Sequence, residues 1–197
     1  MTARIQSVNV GSAEPNPARR GGGVTGFGKR PVGSALLRAP GPGGSGLEGD
    51  VIGNPRFHGG DLQAVYAYAR EELDTWEERL GLDLPDGAFA ENLTLRGLDV
   101  DASRVGDLWA IGAEVVLEVT APRTPCRTFA NRMGVKGWMR QFTEAGRPGA
   151  YLRVVSPGVV RVDDPVVVTP ATDGAPLHDV FREMMGQTAP PTPSPHT

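Results

Sequence analysis

The hydrophobic residues of this chain mostly follow a period of two, the spacing of strands that bury one face. In residues 114–119, for example, Val115, Leu117 and Val119 fall on one side. The same reading predicts short strands at residues 4–10, 33–39, 64–68, 89–95, 108–111, 113–120, 151–155, 158–162 and 165–168, with 24–32 as either a strand or a turn. Short strands separated by glycine and proline turns predict a mainly β protein, either a closed antiparallel β-barrel or a sandwich.

A helical period replaces this pattern in a few places. Between Ala69 and Gly81, the residues Leu73, Trp76 and Leu80 share one face, and charged residues occupy the other. Such an amphipathic helix packs its apolar face on the core and is stopped by the glycine. Two further helices are predicted near residues 136–145 and 177–186.

Length and composition indicate one domain over residues 1–187, followed by a proline-rich tail at 188–197 that is expected to be disordered. The chain has 197 residues, of which 27 are glycine and 18 are proline, so many turns are expected. Its single cysteine excludes an internal disulfide. Since neither a signal peptide nor an apolar run of membrane-spanning length is visible, we expect a cytoplasmic protein with no membrane contact.

The net charge and the types of basic residue limit the classes of ligand that the chain is expected to bind. A net charge of −3 and a pI near 5.6 argue against a binder of nucleic acid, whose surface would be basic. Of the 20 basic residues only Lys29 and Lys136 are lysines. An anion pocket in this chain would therefore be built mainly from forked guanidinium contacts.

The one cysteine stands in a distinctive setting, Pro-Arg-Thr-Pro-Cys-Arg at residues 122–127. Thr124 can cap a short helix, Pro125 suits its first position, and Cys126 then falls at the second. The helix start and the flanking Arg123 and Arg127 would all favour the thiolate, the form that attacks electrophiles and binds soft metals. The alternative is that Cys126 is a small buried apolar residue, as many free cysteines are.

His58 is the other candidate for chemistry. It precedes Gly59 and Gly60, which let the backbone come close to a ligand or turn sharply. No zinc-ligand spacing surrounds it, and a lone histidine can equally be structural. A cysteine hydrolase that pairs Cys126 with His58 is a further, less favoured reading.

Several short motifs occur in an order that resembles the MOSC domain, named after the C-terminal domain of molybdenum cofactor sulfurases, and most closely its small stand-alone bacterial members. The motifs are Thr25 with Lys-Arg-Pro-Val at 29–32, Gly-Asp at 49–50, Phe-His-Gly-Gly-Asp at 57–61, Ala-Val-Tyr-Ala-Tyr at 64–68, Glu-Asn-Leu-Thr at 91–94, Gly-Asp at 106–107, Pro-Arg-Thr-Pro-Cys at 122–126 and Gly-Ala-Tyr-Leu-Arg-Val at 149–154. The resemblance covers about residues 24–169. Two departures stand out: Ala90 replaces a glycine usual in the family, and Asp163-Asp164 replaces Gly-Asp.

The resemblance implies a closed MOSC-type β-barrel, a molybdenum cofactor (molybdopterin), and the reduction of N-hydroxylated small molecules such as N-hydroxylaminopurine base analogues, a detoxification reaction. It implies that Cys126 is the molybdenum or sulfur ligand. Asn92 and His58 are the other candidate catalytic residues, because an amide and an imidazole are suited to position an N–OH substrate or to hand a proton to the departing water. The expected cofactor-binding residues are Cys126, Arg123, Lys29, Gly59, Gly60 and Thr25. Pyridoxal phosphate, which some family members bind through another domain, is less favoured because its Schiff base would have to use Lys29 or Lys136.

Two points stay open at the level of sequence. The chain is predicted either to turn over an N-hydroxylated substrate with electrons from a reductase that the sequence does not specify, or to act as a non-catalytic carrier of the cofactor or its sulfur. A homodimer and a monomer are both compatible with the sequence.

Overall fold

The computed structural model describes residues 2–187. Its strands are β1 (Arg4–Gly11), β2 (Glu14–Pro15), β3 (Val24–Thr25), β4 (Lys29–Val32), β5 (Ser34–Leu37), β6 (Val65–Ala69), β7 (Leu93–Arg96), β8 (Leu108–Ile111), β9 (Val115–Pro122), β10 (Ala150–Ser156), β11 (Gly158–Arg161) and β12 (Val166–Thr169). Its α-helices are α1 (Arg70–Leu80), α2 (Arg127–Met133), α3 (Trp138–Ala145) and α4 (Leu177–Met184). Short 3-10 helices span Asp61–Gln63 and Val100–Ala102. The described chain is therefore mainly β with a few helices, as predicted.

The main sheet differs from the predicted closed antiparallel barrel in two respects. Its eight strands follow the order β12-β8-β9-β10-β6-β7-β1-β4, which has two ends, and β6 and β7 run parallel. Helix α1 connects β6 to β7, and a crossover of this length allows two strands to run in the same direction. At the β4 end, Pro31 has no backbone N–H to offer a further strand. The prediction of a closed antiparallel barrel is therefore wrong.

The β12 end of the sheet nevertheless approaches the start of β1, the strand beside β4. The Ile5 N–H donates to the Asp164 carbonyl at 2.9 Å, and the Val166 N–H donates to the Ala3 carbonyl at 2.9 Å. The sheet is thus strongly curved, but this short backbone contact replaces the full strand pairing that a closed barrel requires.

Strand β6 is buried on both faces and separates two apolar clusters. Val65, Ala67 and Ala69 belong to the core of the curved sheet, whereas Tyr66 and Tyr68 belong to an aromatic cluster on the other face. The buried members of that cluster from outside β6 are Phe27, Leu73, Trp76, Leu84, Phe89, Phe129, Trp138, Phe142 and Phe181. Because these residues come from all four α-helices, from the loop after α1 and, in the case of Phe27, from the turn between β3 and β4, the cluster fixes the helices, including the segment around Cys126, against the sheet.

Most predicted elements are confirmed, with ends that differ by a few residues. The helix predicted between Ala69 and Gly81 is α1, and Gly81 ends it in a left-handed conformation (φ 64°). Residues 24–32 form β3 and β4 with a break between them. The strand predicted from Phe89 starts only at Leu93. The predicted tail at 188–197 lies outside the described residues, within which no helix is long and apolar enough to cross a membrane.

Candidate functional site

A cavity of about 720 Å³ opens beside the aromatic cluster. Of the site residues that the sequence predicts, those that line it are Thr25, Lys29, His58, Gly59, Asn92, Arg123 and Cys126. Gly60 does not line the cavity; its N–H donates instead to the Gly44 carbonyl at 2.8 Å. The fold therefore brings together residues from five separate stretches of the chain.

Cys126 is half-buried in the wall of this cavity. It is the N-cap of α2, with an extended backbone (φ −133°, ψ 169°), and its carbonyl accepts the first helical hydrogen bond from the Ala130 N–H at 2.9 Å. The predicted cap at Thr124 is therefore wrong by two residues. Arg123, three residues before the N-cap, is buried and donates to the Phe89 carbonyl, and the helix begins at Arg127.

Arg123 is the central cation of the site. Its side chain is almost completely buried, and its guanidinium carbon lies 4.5 Å from the ring centroid of Tyr66 and 4.8 Å from that of Phe129. Cation–π contact with these ring faces stabilises the charge where water cannot. One nitrogen donates to the Phe89 carbonyl, but Nε is buried and has no hydrogen-bond partner. A buried N–H without a partner calls for an explanation, and a ligand in the cavity would supply its acceptor.

Lys29 lines the cavity and forms a buried ion pair with Asp50. Its Nζ lies 2.5 Å from Asp50 Oδ1, and the two side chains are 5% and 0% exposed. Burial lowers the pKa of Lys29, although the adjacent carboxylate of Asp50 opposes that shift. Asp50 also accepts hydrogen bonds from the Gly11 N–H at 2.7 Å and from Ser45 Oγ at 2.6 Å. Most of the charge of Lys29 is therefore balanced inside the protein.

Asn92 is fully engaged by the protein. Its Oδ1 accepts from the Tyr66 N–H at 3.1 Å, and its Nδ2 donates to Asp50 Oδ2 at 3.0 Å and to the Asn9 carbonyl at 3.4 Å. These contacts use its acceptor and both donors. Asn92 lines the cavity, but these hydrogen bonds favour a role in positioning β6 and Asp50. Direct contact between Asn92 and a substrate stays a prediction.

His58 is half-buried and also lines the cavity. Burial, together with the charge of Arg123, lowers its pKa to about 4. The imidazole is therefore neutral at pH 7 and carries one donor and one acceptor nitrogen. Among residues 2–187 no hydrogen bond joins His58 to Cys126, so the geometry gives the cysteine hydrolase reading no support.

The backbone next to His58 fits tightly. A Cβ at Gly59, whose φ is 78°, would lie 2.6 Å from the Gly44 carbonyl oxygen. Only glycine fits there, because the backbone at Gly59 comes close to another loop of the protein. The predicted approach of this backbone to a ligand stays a prediction. Thr25 Oγ1 accepts from the Phe27 N–H at 3.1 Å and stabilises the turn after β3.

Sequence reasoning missed several residues of the cavity wall: Arg19, Arg20, Gln63, Tyr66 and Tyr151. Arg127, expected to act on the Cys126 thiol, lies in the wall as well. The two tyrosines lie in the motifs at residues 64–68 and 149–154, but the spacing of these motifs does not show which face of each strand meets the cavity. Gln63 Oε1 is buried without a partner. The arginine pair at 19–20 precedes three glycines in what reads as an ordinary surface loop, so no sequence signal marked it.

Residues 54–167 of the chain match the sequence model of the MOSC domain. The chain belongs to the MOSC domain family. MOSC domains are generally associated with the molybdenum cofactor.

Individual relatives agree with this MOSC assignment. The chain is 37% identical over 136 residues to YflK of Bacillus subtilis, which covers 69% of the chain and 59% of YflK. It is 31% identical over 112 residues to a protein of Gibberella moniliformis named a reductase, which covers 55% of the chain and 20% of that protein. The chain thus spans less than two thirds of either relative. The crystal structure of YiiM from Geobacillus stearothermophilus superposes with a TM-score of 0.73 at 26% identity, covering 92% of this chain and 83% of YiiM.

The two departures from the usual MOSC sequence coincide with strained backbone. Ala90, in the cavity wall, has φ 63°, and Asp163, in the turn between β11 and β12, has φ 67°. Among residues 2–187 these are the non-glycine residues with positive φ. Both residues therefore adopt the left-handed conformation that glycine tolerates best, which costs a residue with a Cβ roughly 1–2 kcal/mol.

Replacing Ala90 with glycine is expected to stabilise the protein. Relief of the left-handed strain outweighs the extra flexibility of glycine in the unfolded chain, so the net gain should be about 1 kcal/mol. Urea unfolding measures it. The matched control is Ala88→Gly, two residues away and without positive φ, which should lose roughly 0.5–1 kcal/mol. A loss in Ala90→Gly equal to that in Ala88→Gly would contradict the strain at Ala90.

Proposed function

We propose that this chain binds the molybdenum cofactor in the cavity around Cys126 and reduces N-hydroxylated small molecules. The observation that carries the proposal is the composition of the cavity wall. It combines the chain's only thiol and a neutral imidazole with five cationic side chains, Arg19, Arg20, Lys29, Arg123 and Arg127, and it includes no carboxylate among the described residues. In a chain of net charge −3, such a wall selects an anionic ligand.

The residues fit a phosphate-bearing molybdenum cofactor. A thiolate is a soft ligand of the kind that suits a thiophilic metal centre. The buried Nε of Arg123 lacks an acceptor, and phosphate or ring carbonyl oxygens would provide one. Among residues 2–187 no group of three or more histidine, cysteine, aspartate or glutamate side chains could hold a metal ion. The protein would thus contribute Cys126, and the other ligands would belong to the cofactor itself.

When bound, the cofactor supplies a centre that transfers two electrons. Reduction of an N-hydroxylated compound breaks the N–O bond, forms an N–H bond and releases water, so it consumes two electrons and two protons. The electrons come from an external reductase of the flavin or iron–sulfur class. The relative from Gibberella moniliformis, named a reductase, gives this reaction type support.

The chain's own residues have defined tasks in this reaction. Neutral His58 can hold a proton on one ring nitrogen and accept a hydrogen bond at the other, which suits it to orient an N–OH group. Tyr151 presents a phenol in the same wall, and burial raises its pKa, so it retains its proton at neutral pH. Arg123 keeps a positive charge in the same wall, where it would stabilise negative charge that develops on a bound substrate.

The decisive experiment compares protein made in two hosts. Protein from a molybdate-replete host should contain close to one molybdenum per chain and reduce 6-hydroxylaminopurine to adenine with reduced methyl viologen as donor. Protein from a host that cannot synthesise the cofactor should be folded, metal-free and inactive. Full activity in the metal-free protein would refute the proposal, and so would failure of both preparations to bind molybdenum.

A carrier function is the second candidate, because the chain has a single cysteine that faces the cavity and no other redox group of its own. Bound cofactor that transfers to an acceptor apo-enzyme, without any reduction of N-hydroxylated compounds even with methyl viologen present, would favour the carrier.

A further inference from the structure

A hairpin tip stands at the mouth of the cavity. Strands β2 and β3 pair over two residues each, and residues 16–23 form the tip between them. The tip has its own hydrogen bonds: the Asn16 N–H donates to the Gly23 carbonyl at 3.0 Å, and the Gly22 N–H donates to the Arg19 carbonyl at 3.2 Å. It is therefore a defined structure, and it carries Arg19 and Arg20 into the cavity wall.

The tip is joined to the helix that follows Cys126. Asn16 Nδ2 donates to Thr128 Oγ1 at 3.2 Å, which links the tip to the first turn of α2. Arg127, the residue before Thr128, lines the cavity as well. This bond sets the tip beside α2, so that the arginines at 19, 20 and 127 face one opening.

The position of Arg19 also depends on a glycine. A Cβ at Gly23, whose φ is 129°, would lie 3.1 Å from Cδ and from Nη1 of Arg19. The Arg19 side chain thus packs against the bare backbone of Gly23, and a Cβ there would push it aside by a few tenths of an ångström.

These three arginines differ from the deeper cations. Lys29 is balanced by Asp50 at 2.5 Å, and Arg123 is enclosed by aromatic rings. Arg19, Arg20 and Arg127 are exposed, and within residues 2–187 none of them forms an ion pair. The mouth of the cavity therefore carries positive charge that the described protein does not compensate.

We infer that Arg19, Arg20 and Arg127 bind a phosphate group of the substrate, so that the substrate is a phosphorylated N-hydroxylated compound such as a nucleoside monophosphate with an N-hydroxylated base. This inference rests on the proposed function. Three forked guanidiniums offer far more donors than a carboxylate can accept, whereas a phosphate dianion has three terminal oxygens that can each accept several. The reacting base would then enter toward His58 and Cys126.

The cofactor's own phosphate has the same chemistry and is the competing occupant of this cluster. A substrate phosphate and a cofactor phosphate predict different effects when these arginines are removed. If the cluster binds the substrate, its removal weakens only the phosphorylated substrate. If it binds the cofactor, its removal lowers the molybdenum content.

The test compares 6-hydroxylaminopurine riboside with its 5′-monophosphate as substrates of the molybdenum-loaded protein. We expect the wild type to prefer the monophosphate, and the Arg19→Ala/Arg20→Ala variant to lower that preference, measured as the ratio of the two kcat/KM values, by about tenfold or more. The matched control is Arg38→Ala/Arg104→Ala, which removes two exposed arginines that do not line the cavity and should leave the ratio unchanged. Molybdenum content is measured for each variant.

Binding measured without turnover gives a second readout. Isothermal titration of metal-free protein with adenosine 5′-monophosphate should show binding that weakens with added salt and that the Arg19→Ala/Arg20→Ala variant weakens about tenfold or more. An unchanged kcat/KM ratio in that variant would overturn the inference, and so would a loss of molybdenum without a change in the ratio. If the wild type reduces neither compound, the proposed function itself fails.

Discussion

Cys126→Ser is expected to lower the rate of N-hydroxy reduction by more than about a hundredfold. Mutating groups that merely support a metal ligand typically costs 10–100-fold, and removing the ligand should cost more. Serine keeps nearly the same shape, but its hydroxyl is a harder ligand and is not ionised at neutral pH, so it cannot replace a thiolate. Molybdenum content by mass spectrometry and the steady-state rate with reduced methyl viologen measure the effect.

The folded state of the variant provides its control. Cys126 is only half-buried and its side chain makes no capping hydrogen bond to α2, so the substitution should change the free energy of unfolding by less than about 1 kcal/mol. Thr128→Ser, in the first turn of the same helix, keeps the hydroxyl that binds Asn16 and should retain activity. Equal rates in the wild type and Cys126→Ser would remove the thiol from the mechanism.

Asp50→Asn is expected to destabilise the protein by about 3–5 kcal/mol, the range found when one partner of a buried ion pair is removed. Asp50 accepts hydrogen bonds from Lys29, Gly11, Ser45 and Asn92. The asparagine amide would direct two donors toward groups that mostly donate themselves, and it would leave the buried ammonium of Lys29 unpaired. Urea unfolding monitored by tryptophan fluorescence gives the free energy of unfolding.

Two further variants separate burial from charge. Glu118→Gln breaks the exposed pair with Arg153, whose atoms are also only 2.6 Å apart, and should cost at most about 1 kcal/mol. Adding Lys29→Met to Asp50→Asn removes the unpaired charge and should recover part of the lost stability. A loss in Asp50→Asn no larger than that in Glu118→Gln would show that the Lys29–Asp50 pair does not stabilise the site.

Local structure could be predicted well because it depends on residues close together in the chain. The alternation in Val115, Leu117 and Val119 identifies a strand with one buried face, and all three are buried in β9. The spacing of Leu73 and Trp76 similarly identifies the buried face of α1. The ordered motifs also identified the MOSC family, which the match over residues 54–167 confirms.

The sheet topology could not be predicted in the same way. Hydrophobic period tells which face of a strand is buried, but it does not tell which strand lies beside it or in which direction. The parallel pairing of β6 with β7 and the two open ends of the sheet are set by the crossover through α1 and by the edge position of Pro31. The closed barrel expected from the resemblance was wrong for this reason.

The role of a polar side chain depends on contacts that are distant in sequence. The motif around Asn92 predicted a residue facing a ligand, yet its amide is used by Tyr66, Asp50 and Asn9, which lie 26 to 83 positions away. Arg19 and Arg20 are the opposite case. No sequence pattern marked them as ligand-binding residues, yet they lie in the cavity wall. Sequence patterns alone were therefore enough to predict the local elements, the family and the chemical type of the candidate residues. Which of these residues share the cavity, and which have donors or acceptors left for a ligand, became visible in the folded chain, because burial and hydrogen-bond partners arise from residues that folding brings together.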